Sequence, residues 1–180
     1  LKGRIFISYN HNVQSSEHLK NQIADYYKQK YNDIIEVLSV ENLTQGTVFK
    51  DVIKAKIWSS DRLLVIVPKS TTKLGEDKGY YEWLAREAEH GLLLNKTVTF
   101  LREQGFNEQL FKETLKNENL DFLQEGVETE ENRSNKLYRN YKNRLQVNFT
   151  SLNDNPKSTW QDLNNEMIQA LDHNARMALE

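Results

Sequence analysis

Short apolar runs alternate along the chain with longer segments in which apolar residues recur every three or four positions. The runs are rich in β-branched and aromatic residues, as buried strands are, and lie at 4–9, 34–40, 63–68 and 97–101. The longer segments are typical of helices that bury one face, and one follows each of the first three runs. Three successive strand-then-helix units predict an α/β domain with a doubly wound parallel sheet and right-handed crossovers.

The run at 63–68 is the strongest strand signal in the sequence. It is unbroken and ends at Pro68, as expected for a strand that is covered on both faces. We therefore place it at the centre of the sheet, and the run at 4–9 is also predicted to be central. The first helix is expected to be capped by Ser15 or Ser16, and the third to span about 79–94.

The pattern weakens after the fourth predicted strand. Residues 102–144 form a long, acidic variable region. Its apolar residues are spaced for short helices or packed loops. Residues 145–149 alternate like a final edge strand. A last helix is expected to begin near Ser158, with a buried stripe that includes Met167, Leu171 and Ala175. We interpret residues 1–180 as one domain, because this length suits a single core.

Composition and charge narrow the chemistry. The formal net charge of -2 over 180 residues gives no global electrostatic reason to expect a nucleic-acid or a membrane partner. Without cysteine, the chain can form no disulfide, thiol nucleophile or cysteine-based zinc site, which fits a reducing cytosol. No apolar run approaches the roughly 18 residues that would span a bilayer, so we expect a cytoplasmic protein.

Three segments together resemble the Toll/interleukin-1 receptor (TIR) domain family. The first is Phe6-Ile7-Ser8-Tyr9, similar to the family's opening strand and its polar exit. The second runs from a loop into a helix and a strand, and is marked by Leu43, Gly46, Phe49, Ile53, Ile57 and Ser60. The third is Trp83-Leu84-Ala85-Arg86-Glu87, similar to the family's Trp-x-x-x-Glu motif. The resemblance covers residues 4 to about 101.

The resemblance implies a flavodoxin-like TIR fold, with a central five-stranded parallel sheet and helices on both faces. Many TIR domains cleave NAD+ between nicotinamide and ribose, giving nicotinamide and ADP-ribose or a cyclic ADP-ribose signal, with the glutamate that matches Glu87. NAD+ would be the substrate, with no further cofactor. The resemblance also implies homo-oligomers through TIR–TIR contacts, an effector or sensor domain or protein as partner, and a role in bacterial antiphage immunity. Other TIR domains are non-catalytic scaffolds.

Trp83 and Glu87 fall outside the apolar stripe of the predicted third helix and lie one turn apart. A carboxylate beside a ribose can stabilise an oxocarbenium-like transition state. Because nicotinamide leaves as a neutral base from a cationic ring, one carboxylate suffices and no strong general acid is required. The alternatives are structural: Trp83 packed under the loop 72–78, and Glu87 as a solvated helix glutamate.

The strand exits supply the rest of the predicted site, since open parallel sheets bind ligands where their strands end. Ser8 is expected to bond a ribose or phosphate and Tyr9 to stack on a ring of the substrate, with Asn10 beside them. Gly46 gives the loop 41–48 its conformational freedom, and in TIR relatives this loop gates the site and joins subunits. Ser70, after the third strand, is a candidate phosphate contact.

The remaining sequence features give weaker evidence about function. The four histidines show no metal-ligand spacing, so we predict no metal site and interpret them as surface residues, with His90 the only one near the predicted site. Basic and aromatic residues alternate at 136–144, a pattern compatible with nucleic-acid binding, but the acidic surroundings favour a salt-bridged helix face. A phosphoacceptor receiver domain is disfavoured because no acidic pair follows the first strand.

Overall fold

Parallel strands form the centre of the molecule in the computed structural model, which describes residues 2–39, 49–103, 105–115, 163 and 165–180. These strands are β1 (Gly3–Ser8), β2 (Ile35–Leu38), β3 (Arg62–Val67) and β4 (Thr97–Arg102). The described residues form one four-stranded sheet in the order β2-β1-β3-β4. This order is found in flavodoxin-like sheets and confirms the α/β class and the central positions of β1 and β3. The fifth strand predicted at 145–149 lies outside the described residues.

Helices cover both faces of this sheet. They are α1 (Gln14–Tyr31), α2 (Phe49–Ser59), α3 (Leu74–Leu93), α4 (Glu108–Leu115) and α5 (Asn165–Ala178). One core lies between the sheet and α2, α3 and α4, and we call this side the α3 face. A second core lies between the sheet and α1 and α5, on the α1 face.

Alternate residues of each central strand contribute to the two cores, because side chains along a strand point to opposite faces. In β3, Leu63, Val65 and Val67 pack on the α3 face, and Leu64 and Ile66 pack on the α1 face. All five are fully buried. This double coverage is why β3 reads as an unbroken apolar run instead of an alternating one.

Two predicted helix starts are wrong. Helix α3 begins at Leu74, not near residue 79, because Asp77 in its first turn accepts hydrogen bonds from Thr71 and so stabilises an earlier start. Helix α1 begins at Gln14 with Val13 as N-cap, and no described side chain caps it. The Ser15 hydroxyl donates instead to Glu103 Oε2, at 3.3 Å.

The C-terminal helix α5 packs on the α1 face, with part of its predicted apolar stripe buried. Met167, Leu171 and Ala175 are buried there, and the buried Asn174 accepts a hydrogen bond from Arg62 Nε at 2.7 Å. The predicted start of this helix near Ser158 lies outside the described residues. Among the helices of the described ranges, none combines the length and the apolar character that a membrane crossing requires.

Candidate functional site

A cleft of about 260 Å³ opens at the carboxyl ends of the strands, between the exit of β1 and the N-terminal half of α3. It is lined by Tyr9, Asn10, His11, Asn12, Gly79, Tyr80 and Trp83. The cleft lies where open parallel sheets bind ligands. Three aromatic rings beside two amide side chains suit a planar, hydrogen-bonding ring better than a small ion.

Helix α3 is held in place at this cleft by Tyr81, which lies two positions before Trp83. The Tyr81 hydroxyl donates to the carbonyl oxygen of Pro68 at the end of β3, at 3.0 Å, and accepts from the amide of Asn107, also at 3.0 Å. Its ring is fully buried against Phe111. The exit of β3 and the start of α4 therefore fix the position of the helix that carries Trp83.

Glu87 lies one turn beyond Trp83 on α3 and is buried, with 3 % of its surface exposed. It adjoins the residues of the cleft wall but is not itself part of the lining. Burial raises the pKa of Glu87 to about 8, and the neighbouring Ser8 hydroxyl and Trp83 indole offset only part of that rise. The alternative of a solvated helix glutamate is therefore wrong, because the sheet covers this side of the helix.

Ser8 and Glu87 bring two unsatisfied polar atoms together behind the cleft wall. Within the described part of the chain, neither Ser8 Oγ nor Glu87 Oε2 makes a hydrogen bond of normal length and angle, although the Ser8 hydroxyl is near enough to lower the pKa of Glu87. Ser8 is 1 % exposed, so the solvent does not compensate for the missing bond. Since nearly all buried polar atoms in folded proteins are hydrogen-bonded, an unsatisfied pair needs a specific explanation, and such groups cluster at functional sites.

The opposite wall of the cleft is formed by the exit of β1. Tyr9 is largely buried, and the ammonium group of Lys20 lies 5.6 Å from the centroid of its ring. Burial, and secondarily the negative charge of Glu17, raises the pKa of Tyr9, so its phenol stays neutral. The Asn10 amide donates to the carbonyl oxygen of Tyr80 at 3.5 Å, a long contact that links this wall to α3.

The structure therefore brings together five of the seven residues predicted for the site. Tyr9, Asn10 and Trp83 line the cleft, and Ser8 and Glu87 lie directly behind it. Ser70 does not line it, since its hydroxyl donates to Asp77 at 2.5 Å and its amide to Gly105. Gly46, with its loop 41–48, lies outside the described residues.

Four lining residues were missed by the sequence interpretation, namely His11, Asn12, Gly79 and Tyr80. Gly79 and Tyr80 precede Trp83 by four and three positions. Because this spacing puts residues on one helix face, the sequence did contain a signal that could have placed both at the site. The prediction that only His90 lies near the site is wrong, because His11 lines the cleft and His90 does not.

His90 is half-buried farther along α3. Burial, followed by the positive charges of Lys54 and Lys96, lowers the pKa of His90 to about 4, so its imidazole is neutral at physiological pH. The interpretation of His90 as a surface residue therefore needs correction. The charges that act on His90 come from two lysines, which distinguishes its surroundings from those of Glu87.

The described residues include no group of three histidine or carboxylate side chains placed to hold a metal ion. The chemistry available at the cleft is that of a buried carboxyl group, a hydroxyl group and aromatic walls. The chain matches no protein-family model, no curated protein and no solved structure.

Proposed function

We propose that this chain is a TIR domain that cleaves NAD+ between nicotinamide and ribose, with Glu87 as the catalytic carboxylate. The observation that carries the proposal is the buried Glu87 carboxyl group, with Oε2 unsatisfied by the described residues, beside the cleft-lining Trp83. The order of the TIR-like segments along the chain supports it independently. The proposed role is signalling in bacterial antiphage immunity, as the resemblance implies.

The cleft residues act first by orienting the substrate. Trp83 and Tyr9 offer aromatic faces for the nicotinamide ring, and the amide of Asn10 matches the ring's carboxamide. The ribose then extends toward Ser8 and Glu87. This arrangement uses binding energy from the ring, which does not itself react, to place the sugar beside the carboxylate.

Glu87 acts on the transition state. As the bond between nicotinamide and ribose breaks, positive charge spreads over the sugar's ring oxygen and anomeric carbon, and a carboxylate in a buried site stabilises that charge strongly. The electron pair of the broken bond stays on the nicotinamide nitrogen, so the leaving group departs neutral. Attack by water gives ADP-ribose, and attack by a nitrogen of the adenine ring gives a cyclic product.

The raised pKa of Glu87 has a consequence for this mechanism. With a pKa of about 8, most of the Glu87 carboxyl groups are protonated at neutral pH before substrate binds. The cationic nicotinamide ring favours the ionised form, because a nearby positive charge lowers a carboxyl pKa. Substrate binding therefore promotes the ionisation that catalysis needs.

A second candidate function is a non-catalytic TIR scaffold that works through assembly with like domains. It is favoured by two large apolar side chains at the surface: Trp58 of α2 is 72 % exposed and Leu74 of α3 is 65 % exposed. Exposed apolar residues of this size are typical of association surfaces. The two functions are compatible, since assembly of an NAD+-cleaving domain uses the same kind of surface.

The decisive experiment is to incubate concentrated protein with NAD+ and to measure nicotinamide release by chromatography. We expect release by the wild type and a loss of at least about 100-fold for Glu87→Gln, the size typical for removal of a group that stabilises transition-state charge. Glu82→Gln is the matched control, because Glu82 is on the same helix and outside the cleft lining. Release unchanged in Glu87→Gln, or absent even in enforced assemblies, would exclude the enzyme and leave the scaffold.

A further inference from the structure

Gly79 occupies an interior position of α3, where glycine is the least favourable residue after proline. Helices retain an interior glycine for two common structural reasons. One is a positive φ, which L side chains rarely adopt, and the φ of Gly79 is not in that range. The other is a close approach by a neighbouring group, as at Gly91, where an added Cβ would lie 2.7 Å from Leu63 Cδ2.

Among the described residues, none approaches Gly79 closely. A Cβ built on this residue meets no heavy atom within 4 Å among the described residues. The space that it would enter is the cleft, since Gly79 lines the cleft together with Trp83, one turn farther along the same helix face. A larger residue at position 79 would therefore favour the folding of α3 but would narrow the cleft.

We infer that Gly79 is a specificity-determining residue. Because it lacks a side chain, it leaves room beside the Trp83 ring for a planar ring of the ligand, and the size of the residue at this position limits which ligands enter. The identity of that ligand as NAD+ rests on the proposed function. The relation between side-chain size at position 79 and ligand entry does not depend on the proposed function.

A graded pair of substitutions tests this inference, with a matched pair on the same helix. Gly79→Ala and Gly79→Leu are compared with Gly75→Ala and Gly75→Leu, because Gly75 also faces open space but does not line the cleft. The probe is 1-methylnicotinamide, whose methylated ring nitrogen gives it the cationic ring of NAD+ without the ribose, and its binding is measured by calorimetry. We expect weaker binding in Gly79→Ala, loss of binding in Gly79→Leu and wild-type binding in both Gly75 variants.

Thermal unfolding separates this effect from misfolding. Both alanine and leucine are better helix formers than glycine, so the Gly79 variants are expected to unfold at or above the wild-type temperature, by about 2–4 °C for alanine. Loss of ligand in a protein of unchanged or higher Tm cannot come from unfolding. Turnover of NAD+ by Gly79→Leu is expected to fall at least tenfold, mainly through a higher KM.

The outcomes distinguish this inference from the proposed function. If the wild type binds the probe, Gly79→Leu does not, and NAD+ remains intact, the role of Gly79 stands and the enzymatic proposal fails. If Gly79→Leu keeps wild-type binding and turnover, the inference about Gly79 is wrong while the enzyme stands. If the wild type binds neither the probe nor NAD+, both are wrong.

Discussion

Two carboxyl groups on α3 have almost no exposed surface, yet their pKa values are shifted in opposite directions. Asp77 is 2 % exposed and Glu87 is 3 % exposed. Asp77 accepts hydrogen bonds from the Ser70 hydroxyl at 2.5 Å and from both the amide and the hydroxyl of Thr71 at 2.8 Å. Burial acts to raise the pKa of Asp77, but these donors outweigh it and the pKa is lowered. For Glu87 burial prevails.

In this pair, hydrogen-bond donors lower the pKa of Asp77 against the effect of burial, whereas the deeper burial of Glu87 raises its pKa. Asp77 is ionised, and its hydrogen bonds hold the loop after β3 against the first turn of α3. It therefore has a structural role. Glu87 keeps an oxygen that no described residue satisfies and lies against a cleft wall. Both oxygens of Asp77 already accept hydrogen bonds from described residues, which is the difference from Glu87.

The largest expected effect is on stability at Asp77. Asp77→Ala removes a charged acceptor and leaves the donors of Ser70 and Thr71 unsatisfied, so we expect the free energy of unfolding to fall by about 2–4 kcal/mol. Urea unfolding at pH 7 measures this change. Glu76→Ala is the control, since the exposed Glu76 contributes only a favourable charge near the helix N-terminus and its loss should cost less than about 1 kcal/mol. Equal effects at the two positions would contradict the structural role of Asp77.

The next effect is on the pH dependence of NAD+ cleavage. Because kcat/KM reports the ionisation of the free enzyme, it should rise with pH while the Glu87 carboxyl group loses its proton, and level off above about 8. From pH 6.5 to pH 8 we expect an increase of about tenfold. Glu82→Gln should show the same profile. A flat profile would mean that Glu87 is already ionised in the free protein.

A smaller effect is expected on the stability of the wild type over the same pH range. The folded-state pKa of Glu87 is above its ordinary value of 4.5, so its contribution to stability is fully present below pH 4.5 and is lost as pH rises through about 8. We expect the free energy of unfolding to fall by about 1–2 kcal/mol between pH 6.5 and pH 8 relative to Glu87→Gln.

This window avoids an opposing contribution from His90. The pKa of His90 is lowered from 6.5 to about 4, so its contribution to stability is present above pH 6.5 and is lost as pH falls through about 4. Below pH 6.5 the two groups therefore act in opposite directions, and above it Glu87 acts without His90. Parallel stability curves for the wild type and Glu87→Gln between pH 6.5 and pH 8 would contradict the raised pKa.

The smallest effect probes one of the donors to Asp77. Thr71→Val removes the hydroxyl donor but keeps the backbone amide donor and the shape of the side chain. We expect the free energy of unfolding to fall by about 0.5–1.5 kcal/mol and the pKa of Asp77 to rise, as measured by NMR titration. Ser59→Ala is a comparable control, since the Ser59 hydroxyl donates to a helix carbonyl instead of a carboxylate. An unchanged Asp77 pKa would show that the Thr71 hydroxyl does not help to keep this group ionised.

The sequence predicted the sheet well because coverage on both faces makes a strand such as β3 apolar throughout. It predicted the start of α3 poorly, since Gly75 and Gly79 lower the helix propensity of a segment that Asp77 then stabilises through residues outside the helix. Ser8 and Tyr9 were found at the site because strand exits share one edge of a sheet. The burial of Glu87 depends on packing against the sheet, which helical spacing does not encode.

The way in which α5 joins the fold has a consequence for synthesis. Its hydrogen bonds reach back to Arg62, Tyr27 and Tyr26 across 112, 144 and 146 residues. A nascent chain emerges from its N-terminus, so the strands and α1 are made long before the helix that completes their apolar side. Contacts this distant in sequence form slowly, and the exposed face invites association with other chains in the meantime. We therefore expect growing chains of this protein to depend on chaperones until residues 165–178 have left the ribosome.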